Sequence, residues 1–375
     1  MDESEIITTD ANNLYWSSMK ARKSSPKKAL TQKFMQEQLI NIEDGIDDLT
    51  HRTWVIEKMP PFLISERGHI RKIQGNTPYD RMILHSYLDF YLEPILRKYL
   101  IYDNYASQVN KGTSLARERF KKNLSRAYRL YGTNKFYVLL IDFKKFYDNI
   151  QHEKLFNAIM EKIPYTSFNE YMLWTILDSF KVDVSWMNDA EYNNRMTTVY
   201  SALDHLYEKP LGIRYMRKSL NIGNQASQLF SIFYPTKIDN YCKIVRQVKM
   251  YGRYMDDINI IHNNKNFLWS LLDGIYPISD DLGLFINKKK TNIIRVDNEF
   301  KYLNRIYYVD NKGRINERLA PNTIYREHRR LKAYIRLGKC CEQQFQSWIG
   351  TFGHLMRYYD IDKLYKLKEE ANVYA

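Results

Sequence analysis

Cysteine is scarce: three residues in 375, at positions 242, 340 and 341. An odd count with two adjacent argues against a disulfide framework, and no Cys/His cluster has zinc-site spacing. The expectation is free thiols in a reducing compartment, hence a cytoplasmic protein. Long apolar runs are missing too. The longest purely aliphatic stretch is Val138-Leu139-Leu140-Ile141, far short of the roughly 20 residues of a membrane span. The opening MDESEIITTD has no apolar h-region, so no secretory signal is expected. Repeats and low-complexity tracts are lacking. Hydrophobic residues at 44% and charged residues at 27% exclude a disordered or collagen-like chain. At about 150 residues per domain, two or three subdomains are expected.

Acid is in deficit. Asp plus Glu total 43 against 57 Lys plus Arg, leaving a formal charge of +14. A protein this basic works against a polyanion, nucleic acid first. An anionic membrane surface ranks second, but the basic residues are spread over the chain and not gathered on one helix. No membrane partner is therefore expected.

Residues 1–35 are polar and turn basic from Lys20 to Lys28, reading as an arm touching phosphates or a solvated tail. Residues 36–60 carry helical spacing. The stretch Phe62 to Ile73 alternates around Arg67-Gly68 and predicts a β-hairpin bearing Arg71 and Lys72. A helix is expected over 80–100, kinked or broken at Pro94, and another from Ser114 to Tyr131, ended by Gly132. A strand at 136–142 and a helix from His152 to about Lys162 follow. Residues 165–210 carry no clear motif and read as helix plus insertion. After a strand–helix passage at 213–245 comes a hairpin, KMYGRYM and INIIH around Asp256-Asp257. A helix at 266–282, a strand pair at 284–294 and 300–309, and a basic helical segment from about 322 complete an α+β pattern: a small sheet with helices packed on it.

Asp142 ends an apolar strand, which holds a side chain firmly at an open tip. Adjacent carboxylates such as Asp256-Asp257 repel each other unless a cation lies between them. By itself the pair also reads as a turn. With Asp142 it fits hard divalent cations, which take oxygen ligands and share substrate phosphates. Two such ions are the device of in-line nucleotidyl transfer.

The string Tyr254-Met255-Asp256-Asp257, after a strand-end aspartate, resembles the signature of reverse transcriptases. Other blocks agree in order. IDFKKFYDNIQHEKL (141–155) resembles motif A, NIGNQASQLFSIFY (221–234) motif B, RYMDDINII (253–261) motif C, LGLFINKKKTNII (282–294) motif D and FKYLNRIYYV (300–309) motif E. ERGHIRKI (66–73), DRMI (80–83) and YASQVNKGTSLAR (105–117) resemble fingers blocks of bacterial reverse transcriptases. The likeness covers about residues 60–360. Motif B reads Ile222-Gly223 then Ser227-Gln228, the form of the diversity-generating-retroelement branch and related phage-defence enzymes, and the string 346–360 also resembles that branch. Motif E has Leu303-Asn304 where many relatives have Leu-Gly, and the long A–B stretch matches nothing in the family.

The resemblance implies a right-hand polymerase fold. The expected parts are an N-terminal extension (1–60), fingers (61–135), palm (136–310, with an insertion about 165–210) and a short helical thumb (311–375). It implies an RNA-directed DNA polymerase using two Mg²⁺ ions, or Mn²⁺ in their place. Asp142 and Asp256 would bind the metals, with the Phe143 carbonyl, and Asp257 would complete the acidic site. Tyr147 would be the steric gate against ribose, or else a packing residue. Arg71, Lys72 and Lys111 would grip the triphosphate, or remain solvated cations. Gly223 and Gln228 would line the template–nucleotide pocket, and Lys290 would protonate pyrophosphate. Arg326, Arg329, Arg330, Lys332 and Arg336 would hold a duplex backbone, or form a solvated helix face. Asp148 would cap the local turn. Some of the 31 tyrosines would stack on bases. Expected partners are dNTPs, a structured template RNA and its cDNA, with an accessory protein or second copy of the chain. No protease, endonuclease or RNase H block is present. The role is expected in antiphage defence, the alternatives being a diversity-generating retroelement or template-independent, protein-primed synthesis.

Overall fold

Four helices fill the first 51 residues: α1 (Glu3–Thr9), α2 (Ala11–Lys23), α3 (Ala29–Gln36) and α4 (Gln38–His51). The computed structural model describes residues 1–375 apart from 24, 58, 67–68, 205–207, 209, 338–341 and 374–375, and apart from the side chains of 66, 69, 358–359 and 371–373. The expected turn at Arg67-Gly68 and the Cys340–Cys341 pair thus lie outside the described residues. The N-terminal segment corrects the expectation of an arm or tail. Helix α2 buries Leu14, Ser17, Ser18 and Ala21, and Lys20 is 2.8 Å from Asp89. Small polar residues fill much of the buried face, so a search for apolar periodicity passes over it.

The hairpin β1 (Phe62–Glu66) and β2 (His69–Ile73) follows as expected, with Ile64 opposite Arg71. Helix α5 (Pro78–Tyr87) opens on a capping box of Thr77 and Asp80. It runs through one π-turn at Leu88–Leu92 into α6 (Glu93–Arg97). Pro94 does not break it. The proline falls in the first turn of α6, where its missing N–H is tolerated, and the π-turn absorbs the misfit. Helix α7 (Thr113–Tyr131) ends on left-handed Gly132, φ 66°.

The central sheet is four-stranded, ordered β6 (Tyr251–Tyr254), β7 (Asp257–His262), β3 (Tyr137–Ile141), β8 (Asn292–Arg295), all antiparallel. Between β3 and β6 lie α8 (Phe146–Asn149), α9 (His152–Met160), α10 (Ser167–Phe180), β4 (Val182–Asp183), α11 (Asp189–Thr197), β5 (Tyr215–Met216), α12 (Gln225–Phe233) and α13 (Thr236–Asn240). Helix α14 (Lys265–Asp281) links β7 to β8. The expected strand pair 284–294 with 300–309 is corrected. Residues 292–295 pair with β3, whereas 300–309 is itself a hairpin, β9 (Phe300–Tyr302) and β10 (Arg305–Val309). Leu303 and Asn304 turn it, both at positive φ, which pure alternation does not reveal. With β11 (Ile315–Leu319) they form a separate three-stranded sheet.

The segment closes with α15 (Pro321–Arg336), α16 (Glu342–Phe352) and α17 (Tyr358–Val373). The largest core spans the N-terminal helices, α5 and the central sheet. A second lies under α7 and the three-stranded sheet, with Phe120 against Phe300, Tyr302 and Tyr307. A third joins Leu331, Phe345 and Leu364, and a fourth, within the A–B stretch, joins Val184, Met187, Tyr200 and Met216. Among the described residues no helix is long and apolar enough to cross a membrane.

Candidate active site

The register of the central sheet assembles the acidic residues. Strand β3 pairs with β7 so that Ile141 faces Ile258, and one further step sets Asp142 against Asp257. Tyr254 pairs with Asp257 across the β6–β7 hairpin, leaving Met255-Asp256 as a two-residue turn. Met255 takes φ 54°, a strained value for a side chain of its kind. Burial pushes the Asp256 carboxyl up to about 6, and repulsion from Asp142 adds to it. Burial, then Asp256 and Asp142, push Asp257 up to about 7. Burial and repulsion among the three acids hold Asp256 and Asp257 toward the neutral form, and the natural complement of the set is cationic.

Asp142 is the best-anchored of them. Asn287 donates from Nδ2 to its Oδ2 at 2.9 Å and from its backbone N–H to the Asp142 carbonyl at 2.7 Å. Lys290 Nζ lies 3.4 Å from Oδ2 and stays largely exposed. Of the three neighbouring lysines, Lys290 is thus the one on the acid, while Lys288 sits over the Tyr276 ring. Asn287 was missed from sequence because the strand expected over 284–294 hides a loop that folds back on Asp142. Among the described residues no three His, Cys, Asp or Glu side chains are gathered closely enough to hold an ion alone. The donor set fits a hard cation that takes one or two carboxylates and completes its shell with water and phosphate.

A cleft of about 1010 Å³ opens over these acids, lined by Arg71, Lys289, Lys290, Lys301, Arg326 and Arg329 as well as Asp142 and Asp257. Arg71 on β2 acts electrostatically on both Asp256 and Tyr147. Lys72, next on the strand, points to the other face. Lys111 is turned onto backbone, donating to the carbonyls of Tyr102 (2.8 Å) and Asn104 (3.0 Å). In this position it closes a loop. Arg326 and Arg329 face the cleft. Lys332 and Arg336 line, with Arg329, a second groove of about 980 Å³ between α15 and α17. Arg330 turns away to pair with Glu327. The expected single cationic face of α15 is therefore split in three directions.

Tyr147, five residues after Asp142, stands on α8. Its hydroxyl is 3.2 Å from Ser231 Oγ and 3.7 Å from Met255 Sδ, so the ring is fixed between the motif B helix and the acidic turn. Gln228 lies exposed one helical turn before Ser231. Phe143 packs its side chain in the core and bridges Ile286. Gly223 takes φ 110°, and a side chain there would come within 2.9 Å of Ile73 and 3.3 Å of the Gln74 carbonyl. The close approach that demands glycine is to the end of the β1–β2 hairpin, where Gln74 N–H donates to the Ile222 carbonyl at 3.1 Å. Asp148 caps nothing. It accepts from the Ala202 N–H and the Ser219 hydroxyl, because the A–B stretch folds back onto α8.

Arg253, fully buried, also escaped notice in the sequence. It makes a bidentate pair with buried Asp239 (2.8 and 2.7 Å) and donates to the carbonyls of Ile232 (2.7 Å) and Met255 (3.2 Å). The last contact ties the acidic turn to the palm interior.

Carboxylates from one strand end and one hairpin turn thus lie together on an antiparallel sheet beneath a cationic cleft, and the molecule has the α+β right-hand architecture. The chain belongs to the reverse transcriptase (RNA-dependent DNA polymerase) family, whose model matches residues 91–305. Members of that family are nucleotidyltransferases. No curated protein matches the sequence. Among solved structures the chain is similar to telomerase from Candida albicans in complex with a TWJ fragment of telomeric RNA (TM-score 0.44, 13% identity, 90% of this chain and 65% of that one). It is also similar to apo telomerase from Candida tropicalis truncated from its C-terminal domain (TM-score 0.42, 12% identity, 74% and 60%). The chain thus spans less than two thirds of the length of either.

Proposed function

We propose that the chain is an RNA-directed DNA polymerase that copies a structured RNA into cDNA and serves in antiphage defence. The observation that carries the chemistry is Asp142 set opposite Asp257, with Asp256 in the turn beside it, under a cleft of Arg and Lys. Asp142 and Asp256 would hold two Mg²⁺ ions, which when bound supply charge for nucleotidyl transfer. Asp257 adds negative charge that favours cation entry, and cation binding would drive protons from the raised carboxyls. Arg71 approaches from the hairpin to meet a triphosphate. Lys290, now on Asp142, is placed to give a proton to departing pyrophosphate. Tyr147 presents its ring where a ribose 2′-hydroxyl would collide. Arg326 and Arg329 would track the nucleic-acid backbone.

The defence role rests on sequence. FSIFY after motif B and the long A–B stretch depart from the mutagenic branch, whereas the IG-x-x-x-SQ form of motif B keeps a diversity-generating element as the second reading. Extension of a primer on an RNA template is the direct test. Asp256→Ala with Asp257→Ala is expected to reduce extension by roughly 10³-fold or more, with RNA affinity nearly unchanged. Full extension by the double variant would sink the assignment.

A further inference from the structure

The gate tyrosine stands on a helix that cannot hold itself. Helix α8 has four residues, and a single turn is unstable in isolation. Its position must come from outside. Beneath it, Asn149 is fully buried, and its amide pairs with the backbone of Tyr200 in both directions: Nδ2 donates to the Tyr200 carbonyl at 3.1 Å, and the Tyr200 N–H donates to Oδ1 at 2.9 Å. The same Nδ2 donates to the Lys145 carbonyl at 2.8 Å, at the start of α8. Asp148 takes the Ala202 N–H at 3.3 Å. On the other side the Leu220 N–H donates to the Tyr147 carbonyl and the Ser219 N–H to that of Ile150, both at 3.0 Å.

The first set of partners, Tyr200 and Ala202, belongs to one module, and Ser219 and Leu220 follow directly after it. Residues 182–216 carry their own small core of Val184, Met187, Tyr200 and Met216. Buried Lys218 closes the module, donating from Nζ to the carbonyls of Arg195 (3.1 Å), Met196 (3.3 Å) and Thr198 (2.9 Å) at the end of α11. A lysine there neutralises the negative end of the helix.

We propose that this module between motifs A and B sets the position of the Tyr147 ring, and with it the choice between deoxyribose and ribose, with Asn149 as the positioning residue. The inference rests on the polymerase reading above. Among the described residues, the module's hydrogen bonds to motif A fall on Asp148, Asn149 and Gln151 and not on the Tyr147 ring. The module acts by fixing how far the ring stands from Ser231 and Met255. A displacement of about 1 Å at such a point changes rates by as much as ~10²-fold.

The test compares incorporation of dNTPs and rNTPs opposite the same RNA template by wild type, Tyr147→Val and Asn149→Ala. Thermal melting confirms that each variant is folded. Tyr147→Val reports on the gate itself. Asn149→Ala is expected to lower the dNTP-over-rNTP preference by roughly tenfold, chiefly through a lower KM for rNTPs, with kcat for dNTPs held within about threefold. A purely structural role would lower both activities together and leave the preference alone, which overturns the proposal. Lost preference in Tyr147→Val with intact preference in Asn149→Ala would also overturn it while leaving the gate standing. Unchanged preference in both would remove gate and brace together. If Asn149→Ala does not fold, Lys218→Met removes the side-chain bonds to Arg195, Met196 and Thr198 and deletes no side-chain bond to α8. A preference reduced by about threefold or more supports the proposal, and an unchanged one overturns it.

Discussion

His152 is held neutral by its surroundings. Nε2 lies 2.7 Å from the Ser219 carbonyl and must carry the hydrogen, while Nδ1 is buried without a partner. Burial pushes the imidazole down to about 4 from 6.5. The folded value lies below the unfolded one, so the unfolded chain binds more protons between these limits. Stability is therefore intact above pH 6.5 and drains away as pH falls toward 4, by up to about 3 kcal/mol. His152→Gln keeps an N–H for Ser219 and removes the titration. Melting curves between pH 7 and pH 5 are expected to fall more steeply for wild type than for this variant. The sequence showed His152 as the start of a helix and part of a family block, but not its protonation, because tautomer and burial are properties of the packed chain.

At the level of elements, the β6–β7 hairpin was legible because two half-apolar strands flank an aspartate pair that reads as a turn. What holds its turn was not. Arg253 reads as one more cation in a basic protein, yet it is the buried brace of Met255. Removing one member of a buried pair costs about 3–5 kcal/mol, because it strands the other charge. Arg253→Met is expected to lose that much in urea unfolding and to depress extension with it. Arg253→Met with Asp239→Leu is expected to recover part of the stability while the turn stays unbraced and extension stays low. The same blindness applies to the fold-back at 284–291 and to the N-terminal helices. The first buries loop backbone and, among the N-terminal helices, α1 and α2 bury mostly small polar residues, so neither leaves a regular apolar period.

Taken whole, the molecule is a cationic surface around an acidic point. Its +14 charge is spread over the cleft, the α15–α17 groove and the outer faces. Binding of RNA through such a surface releases counterions, so affinity falls steeply with salt. With six or more phosphate contacts, raising salt from about 50 to 200 mM is expected to weaken RNA binding by roughly 10³-fold, as read by fluorescence anisotropy. An unchanged affinity would mean that recognition rests on bases and not on the backbone. The acidic point was the most legible part of the sequence, because two of its three carboxylates are consecutive and the third ends an apolar strand. The clamp formed by the A–B stretch was the least, because its donors and acceptors are mostly backbone.

The π-turn at Leu88–Leu92 bears on how small a working piece of this chain can be. Its Asp89 accepts hydrogen bonds from Lys20 of α2 and His85 of α5, and from Gln225 at the start of the motif B helix. The hairpin end at Ile73 and Gln74 joins motif B from the other side. Residues 91–305 carry every carboxylate of the site, yet two supports at the start of its motif B helix, Asp89 and the hairpin end at Ile73 and Gln74, lie upstream of residue 91. A fragment cut to the matched region would keep the chemistry in its sequence and lose these two supports, so it is expected to extend primers less well than the chain that carries the N-terminal helices.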